Sequence, residues 1–375
     1  MNPLQQLHEF GQSPWLDFLN RDLVRNGELR RLIQQDGVRG LTSNPSIFAK
    51  AIGETKQYDD VLAVAATKPR TSVDLVYEQL AIEDIRGAAD VLRPVYDESF
   101  GADGYVSLEV SPFLANDTKA TIDEARRLWQ AVARDNLMVK VPGTPAGIPA
   151  VRKLIGEGIN VNITLLFSVD VYEEVVDAYM GGLEDLAANG GEVAKVASVA
   201  SFFVSRIDTA VDKRLKALPD GEGKERALKN LLSKAAIANA KLANARSNKL
   251  HEGERWAKLR ELGARRQRLL WASTSVKDPA LPDTLYVDAL VGPETVNTMP
   301  VDTLKAYGDH GKPVANAIVK DSAEAAKVIE ELDRLGISLA MVAKQLTEDG
   351  VKLFKDAFDG LLRTLADKLR DQQTA

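Results

Sequence analysis

The chain has 375 residues, 45% apolar and 27% charged, a composition typical of a globular protein with one large domain or two ordinary ones. It contains no cysteine, which excludes disulfides, thiolate nucleophiles and cysteine metal sites, and its three histidines show no metal-ligand spacing. A net charge of −6 argues against general nucleic-acid binding, and with neither a membrane-length apolar run nor a visible secretory signal we expect a cytoplasmic protein.

Short apolar or β-branched segments alternate with longer amphipathic segments along the chain. Strands are predicted at 14–19, 40–44, 105–110, 137–141, 160–167, 192–199, 269–274 and 285–290, and the clearest helices at 73–96, 119–133 and 169–186. This alternation indicates parallel strands joined by helices, and eight such units predict an α/β fold of the (β/α)8 TIM barrel type with additional helices. A doubly wound open sheet is the alternative, although no strand precedes a GxGxxG motif or a P-loop.

We expect a single barrel domain over 1–375, with a charged helical insertion at about 212–268. Residues 224–268 contain thirteen Lys or Arg and four Asp or Glu. This basic segment is either a solvated helical hairpin or an arm that binds an anion or a partner. An amphipathic C-terminal helix is predicted at about 347–369, docked on the domain or at a subunit contact.

Several predicted strands carry polar residues on one face, because alternate residues of a strand point to the same side. The apolar rows belong on the outside of a barrel, against the helices, so the polar rows point inwards. Buried polar groups without partners are costly, so several such rows indicate a shared polar site. The rows are Ser107 with Glu109, Asn160 with Asn162 and Thr164, Trp271 with Ser273 and Ser275, and Asp17 opposite Leu16 and Phe18.

Lys140 lies between apolar residues in the predicted strand "LMVKV". Desolvation disfavours an ammonium group and leaves a free amine that can attack a carbonyl carbon and form a Schiff base. Such chemistry needs a proton shuttle and a second base, and Glu109 with Thr164 suits the first role while Asp17 suits the second. With Asn44, these residues lie near the C-terminal ends of strands, where barrels of this kind have their sites.

Each of these residues also has a structural interpretation. A lysine in a strand is often an edge residue, and a single carboxylate is often a salt-bridge partner. The segment "TSNPS" at 42–46 could be a helix cap and turn, and "SFFVSRI" at 201–207 could be the start of a helix. Their coincidence at the ends of successive strands favours a functional site.

The motifs that carry these residues resemble those of the transaldolase family. They are "WLDFLNRD", "GLTSNPSIF", "SLEVSP", "LMVKVPGTPAGI", "GINVNITLLFS" and "ASFFVSRID", in this order. The resemblance implies a class I aldolase on a (β/α)8 barrel that needs no metal or organic cofactor. It also implies transfer of a dihydroxyacetone unit from sedoheptulose 7-phosphate to glyceraldehyde 3-phosphate, which gives erythrose 4-phosphate and fructose 6-phosphate in the non-oxidative pentose phosphate pathway.

The resemblance also implies roles for individual residues. Lys140 would form the Schiff base, Glu109 would act through a water held with Thr164, and Asp17 would deprotonate the C4 hydroxyl. The dihydroxyacetone unit would be held by Thr42, Asn44, Asn162 and Ser201, with Phe203 in the pocket. The phosphate would bind Arg206 and Ser273. The family pattern has an arginine two residues after that serine, where this chain has Ser275, with Lys277 two residues further on.

Two other functions are compatible with parts of this pattern. A Schiff-base aldolase of the same fold could cleave fructose 6-phosphate or deoxyribose phosphate directly, although Glu109 favours a transaldolase. A non-catalytic barrel could bind sugar phosphates or a partner through its basic segment, but would have no need of a buried lysine beside two carboxylates. The sequence leaves a monomer and a homodimer both open.

Overall fold

The computed structural model describes residues 2–67 and 72–374, and within these ranges eight parallel strands close into a barrel. Each strand pairs with the next along the chain, and the last pairs with the first. This arrangement confirms the predicted (β/α)8 barrel. The strands are β1 (Gln12–Asp17), β2 (Leu41–Thr42), β3 (Val106–Glu109), β4 (Leu137–Pro142), β5 (Val161–Leu166), β6 (Ser198–Phe203), β7 (Arg268–Ala272) and β8 (Thr295–Met299).

Helices surround the barrel and extend beyond the single helix per strand of a minimal barrel. They are α1 (Pro3–Glu9), α2 (Arg21–Arg25), α3 (Glu28–Arg31), α4 (Pro45–Gly53), α5 (Asp59–Ala66), α6 (Val73–Glu98), α7 (Thr118–Val132), α8 (Gly147–Ile155), α9 (Val169–Ala188), α10 (Ser205–Lys216), α11 (Glu222–Leu231), α12 (Ala235–Leu250), α13 (Glu254–Glu261), α14 (Leu285–Ala289), α15 (Val301–His310), α16 (Ser322–Arg334) and α17 (Leu339–Thr374). Short 3₁₀ turns lie at Pro112–Leu114, Val193–Lys195 and Ala317–Val319, and a π-helical turn lies at Leu32–Asp36. None of the helices in the described ranges is long and apolar enough to cross a membrane.

Two of the predicted strands are wrong in position. The segment 285–290 is helical, because Tyr286, Val287 and Leu290 recur at helix spacing and all three are buried. The eighth strand is instead Thr295–Met299. The predicted strand at 192–199 begins as a 3₁₀ turn, and β6 continues to Phe203, so the segment 201–207 is a strand end followed by a helix start at Ser205.

The inside of the barrel contains polar side chains that bond to one another. The Asn162 amide nitrogen donates to Ser107 Oγ at 2.9 Å, and Ser201 Oγ donates to Asn162 Oδ1 at 2.7 Å. All three side chains are buried. The inward direction predicted for the rows on β3 and β5 is therefore correct, and their mutual hydrogen bonds remove the cost of burying them.

The N-terminal end of the barrel is closed by a network around Asp103. Its carboxylate accepts from Trp15 Nε1 at 2.7 Å and from the Ser13 hydroxyl, and it pairs with Arg39 at 3.2 Å and Arg268 at 3.4 Å. Ion pairs and hydrogen bonds at this end of a (β/α)8 barrel serve stability, since active sites lie at the opposite end. The network therefore leaves the C-terminal strand ends as the place for chemistry.

The basic segment forms α11, α12 and α13 on the outside of the barrel. Arg246 on α12 pairs with Glu173, and Arg255 on α13 pairs with Asp177 and Glu184. The three carboxylates lie on α9, so part of the positive charge of this segment is used to pack helices within the chain.

Candidate active site

A cavity of about 330 Å³ opens at the C-terminal ends of the strands. Ten of the predicted site residues line it, and the structure therefore brings together side chains from β1, β2, β4, β6 and the segments that follow β2, β6 and β7. These ten are Asp17, Thr42, Asn44, Lys140, Ser201, Phe203, Arg206, Ser273, Ser275 and Lys277. The other lining residues are Ser46, Lys50, Ala272, Thr298, Pro300 and Phe354.

Lys140 lies on β4 with its side chain 5% exposed. Its ammonium group donates to the backbone oxygen of Ser43 at 3.2 Å and lies 3.6 Å from Glu109 Oε2. The strand registers pair Lys140 with Glu109 on one side and with Asn162 on the other. A buried lysine with one carboxylate neighbour can exist as an ion pair or, after proton transfer, as a neutral pair with a nucleophilic amine.

The Glu109 carboxyl is almost completely removed from water, with its side chain 4% exposed. Burial raises the pKa of Glu109 to about 7; Lys140 opposes this rise, and the Asp17 carboxylate adds to it. The atom Oε2 has no hydrogen-bond partner among the described residues. A carboxyl group with a pKa near neutrality can both donate and accept protons under physiological conditions.

Asp17 approaches the cavity from the end of β1. Thr42 Oγ1 donates to its Oδ1 at 2.6 Å, and Thr42 Oγ1 also lies 2.7 Å from Thr298 Oγ1, which must therefore donate in that contact. Desolvation raises the pKa of Asp17, whereas Lys140, the Thr42 hydrogen bond and Arg206 act in the opposite direction. The second carboxylate oxygen is left for a ligand in the cavity.

Thr164 is positioned by a strand, and Asn44 is positioned by the start of a helix. Thr164 lies on β5, pairs in register with Pro142, and is buried with no partner for its hydroxyl among the described residues. Asn44 caps α4, where its Oδ1 accepts from the Ile47 amide at 3.0 Å. The capping interpretation of "TSNPS" is therefore correct, and it coexists with a place on the cavity wall because the amide nitrogen of Asn44 is not used in the cap.

Arg206 lies at the start of α10 and stacks on the ring of Phe203, with 5.1 Å from Cζ to the ring centroid. Desolvation lowers the pKa of Arg206, which Asp17 partly offsets. Its guanidinium group forms no hydrogen bond or close ion pair with another described residue. A partly buried, stacked arginine without a carboxylate partner is suited to bidentate binding of an anionic ligand.

Ser273 and Ser275 reach the cavity from a loop. The prediction that they lie on the same strand face as Trp271 is therefore wrong. Strand β7 ends at Ala272, and Ser273 has φ = +56°, a left-handed conformation that breaks the alternation. Ser273 Oγ lies 3.0 Å from Ser205 Oγ, and Lys277 Nζ donates to Ser275 Oγ at 2.8 Å. Trp271, which was expected to share their face, does not line the cavity.

Six cavity residues were not among the predicted site residues, namely Ser46, Lys50, Ala272, Thr298, Pro300 and Phe354. Thr298 was missed because β8 was predicted ten residues too early, and its hydroxyl contact with Thr42 could not be anticipated. Ser46 and Lys50 lie on α4, and Phe354 lies on α17, at the other end of the chain. Nothing in the described ranges groups three or more His, Asp or Glu side chains in a way that could hold a metal ion.

The chain is similar to a known protein family over most of its length. A family model described as Transaldolase/Fructose-6-phosphate aldolase matches residues 14–365. A protein named Transaldolase 2 from a Nostoc species is 46% identical over 99% of this chain and 98% of its own length. Proteins named Transaldolase from a Parafrankia species and Transaldolase 1 from Streptomyces avermitilis are 47% and 48% identical, each over 98% of this chain and over 98% and 96% of their own lengths.

The raised pKa of Glu109 predicts a pH dependence for imine formation at Lys140. Loss of water from a carbinolamine needs a proton donor, and Glu109 loses its proton as the pH rises through about 7. The single-turnover rate of imine formation should therefore fall above pH 7. In Glu109→Gln the rate should be lower by roughly 10²- to 10⁴-fold, and its decrease above pH 7 should disappear.

The matched control for this experiment is Glu157→Gln, which removes a carboxylate that pairs with Arg126 on the outside of the barrel. It should keep both the parent rate and the parent profile. If the rate of imine formation in Glu109→Gln still decreases above pH 7, another group supplies the proton.

Proposed function

Because this chain belongs to the transaldolase family, we propose that its barrel cavity carries out the transaldolase reaction through a Schiff base on Lys140. The protein is a transferase that moves a dihydroxyacetone unit from sedoheptulose 7-phosphate to glyceraldehyde 3-phosphate. The products are erythrose 4-phosphate and fructose 6-phosphate. The observation that carries the site assignment is a buried lysine, 3.6 Å from a buried carboxylate, at the bottom of a cavity that also contains Asp17.

Imine formation is the first step. The neutral amine of Lys140 attacks the ketose carbon C2, and the new C–N bond converts the carbonyl into a carbinolamine. The hydroxyl group then leaves as water after it accepts a proton from Glu109, directly or through a water bound to Thr164. Glu109 Oε2 and Thr164 Oγ1 are both buried without a hydrogen-bond partner among the described residues, which supports this pairing of roles.

Carbon–carbon cleavage is the second step. Asp17 takes the proton of the C4 hydroxyl, the C3–C4 bond breaks, and its electron pair moves into the protonated imine to give an enamine. The first aldehyde leaves with C4 as its carbonyl carbon. The enamine then attacks the carbonyl carbon of the acceptor, Asp17 returns the proton, and hydrolysis of the imine releases the new ketose. Thr42, which donates to Asp17, orients this base.

The remaining polar residues are suited to binding the substrate. Asn162 and Ser201 form one hydrogen-bonded pair, and with Asn44 they would hold the dihydroxyacetone hydroxyls. Arg206 is suited to the terminal phosphate, with Ser273 beside it. Ser275 and Lys277, which bond to each other, would complete this end of the site.

Sugar phosphates are thus the ligands of this cavity. The cytoplasmic location and the choice between a monomer and a homodimer stay predictions from the sequence.

Borohydride trapping tests the assignment of Lys140. Reduction in the presence of fructose 6-phosphate should add a three-carbon dihydroxyacetone unit to the peptide that contains Lys140, as read by mass spectrometry. Lys140→Arg should abolish labelling and activity, because a guanidinium stays protonated and cannot form the imine. Asp17→Asn should still be labelled, but mainly with the uncleaved six-carbon adduct, since it lacks the cleavage base.

Lys153→Arg is the control, because Lys153 lies on an outer helix and pairs with Glu157. It should leave labelling unchanged. A label on a different lysine in the parent protein, or full activity of Lys140→Arg, would overturn the assignment.

A further inference from the structure

Helix α4 brings a lysine to the cavity that no part of the proposed mechanism uses. The helix begins directly after Asn44, and its residues Ser46 and Lys50, four positions apart on one helix face, both line the cavity. Lys50 is exposed, and its ammonium group forms no hydrogen bond or ion pair with another described residue. Many other lysines and arginines in the described ranges have a carboxylate partner.

The cavity lining has an excess of positive charge. Among the lining residues Lys50 and Lys277 are exposed, Arg206 is half-buried and Lys140 is buried, which puts the first three nearer the mouth. The lining contains one carboxylate, that of Asp17. Asp17 is already bonded to Thr42 and lies in the field of Lys140. Cations gathered around a cavity without matching carboxylates indicate an anionic ligand, and a phosphate dianion carries two charges to be balanced.

The cations approach from opposite sides of the barrel. Lys50 follows β2, whereas Arg206 follows β6, and these two strands lie four positions apart in the closed ring of eight. Lys140, the attachment point of the sugar, lies between them on β4. A sugar chain that extends from Lys140 to the mouth therefore passes between Arg206 and Lys50.

We propose that Lys50 is a further phosphate-binding residue, which contacts the terminal phosphate of the substrates from the side opposite Arg206. This inference rests on the proposed function and extends it. Arg206 is fixed by its stack on Phe203, while a lysine has a flexible stem with four carbons. Lys50 can thus follow phosphates that lie at different heights, as in acceptors of three and four carbons and donors of six and seven carbons.

The test compares a phosphorylated acceptor with its unphosphorylated counterpart. In Lys50→Met, kcat/KM for glyceraldehyde 3-phosphate should fall roughly 10- to 100-fold relative to kcat/KM for glyceraldehyde, the usual value of a charge-assisted hydrogen bond. Inhibition by inorganic phosphate should weaken in parallel, and Lys50→Arg should restore part of the discrimination. Lys56→Met, an exposed lysine just beyond α4 that does not line the cavity, is the matched control and should behave like the parent.

The variant Arg206→Ala separates failure of this inference from failure of the proposed function. If Arg206→Ala loses the preference for glyceraldehyde 3-phosphate over glyceraldehyde and Lys50→Met keeps it, Lys50 is not a phosphate ligand and the proposed site stands. If both variants keep this preference, the phosphate binds elsewhere and the proposed substrate orientation is wrong. Equal decreases of kcat/KM for glyceraldehyde 3-phosphate and glyceraldehyde in Lys50→Met would also overturn the inference.

A second and independent observation concerns the irregular end of β5. Ile163 pairs with Ala200 and Leu166 with Phe202, so Thr164 and Leu165 together face the single residue Ser201 and form a bulge. Leu165 has φ = +60°, which is uncommon for a residue with a side chain. The bulge lies immediately beside the proposed catalytic hydroxyl of Thr164.

The C-terminal helix α17 packs directly on this bulge. Thr347 Oγ1 lies 3.4 Å from the backbone oxygen of Leu165 and 3.1 Å from that of Ala343, so its one hydroxyl proton is shared between these two acceptors. Gly350 lies one turn further on, and a Cβ atom at that position would be 2.7 Å from Leu165 Cδ2. Leu165 is 1% exposed, so its side chain has little room to move away.

The geometry points to Gly350 and Thr347 as positioning residues that hold Leu165, and through it the Thr164 hydroxyl, in the arrangement needed for imine formation. In Gly350→Ala the methyl group should displace Leu165 and slow single-turnover imine formation by about tenfold or more, while discrimination between glyceraldehyde 3-phosphate and glyceraldehyde stays at the parent value. Leu165→Ala in the same chain should restore part of the rate because it makes room for the methyl group.

Gly360→Ala is the control on the same helix, since a Cβ atom there would meet nothing within 4 Å. It should leave the rates unchanged. If Gly350→Ala folds poorly, Thr347→Val, which removes the hydroxyl contacts with Leu165 and Ala343 and adds no bulk, should give a smaller slowing of the same step. Parent rates in both Gly350→Ala and Thr347→Val, whatever their stability, would overturn the positioning role.

Discussion

The burial of two opposite charges on neighbouring strands is the constraint on which this site depends. Glu109 and Lys140 are paired by the parallel register of β3 and β4, and both side chains are removed from water. Separated from each other, either group would bear a large desolvation cost as an ion, so each requires the other or a proton transfer between them. Burial raises the pKa of Glu109 to about 7, and the neighbouring Lys140 opposes this rise.

The rest of the cavity separates chemistry from recognition. The proposed reacting groups Lys140 and Asp17 lie on strands, where Lys140 bonds to Ser43 and Asp17 to Thr42. Asn162, which would bind the substrate, is held between two serines. The cations of the mouth lie on helices and loops that follow the strands. Rigid strands suit a reaction whose proton transfers need fixed distances, whereas substrates of different length need adjustable contacts at their phosphate end. The C-terminal helix α17 contributes Phe354 to the cavity wall, and its Gly350 lies against Leu165 of β5.

Strand alternation predicted the inward residues Ser107 on β3 and Asn162 on β5, because both strands keep a regular pleat up to these residues. It failed where the backbone leaves that pleat: at Ser273, which is left-handed, and at 285–290, where an apolar run reads equally well as strand or helix. The true β8, "TVNTM", carries polar residues that resemble a loop in sequence, but Thr295, Asn297 and Thr298 each form a hydrogen bond inside the barrel. Lys50 and Phe354 could not be predicted, because tertiary packing alone brings α4 and α17 to the cavity.

A crystal structure of Asp17→Asn after borohydride reduction with fructose 6-phosphate tests the central claim most directly. The account predicts a covalent bond between C2 of the sugar and Nζ of Lys140, with Glu109 beside the new bond, the C4 hydroxyl facing residue 17, and the phosphate within hydrogen-bonding distance of Arg206. A sugar bonded to another lysine, or one whose phosphate points away from Arg206, would contradict it.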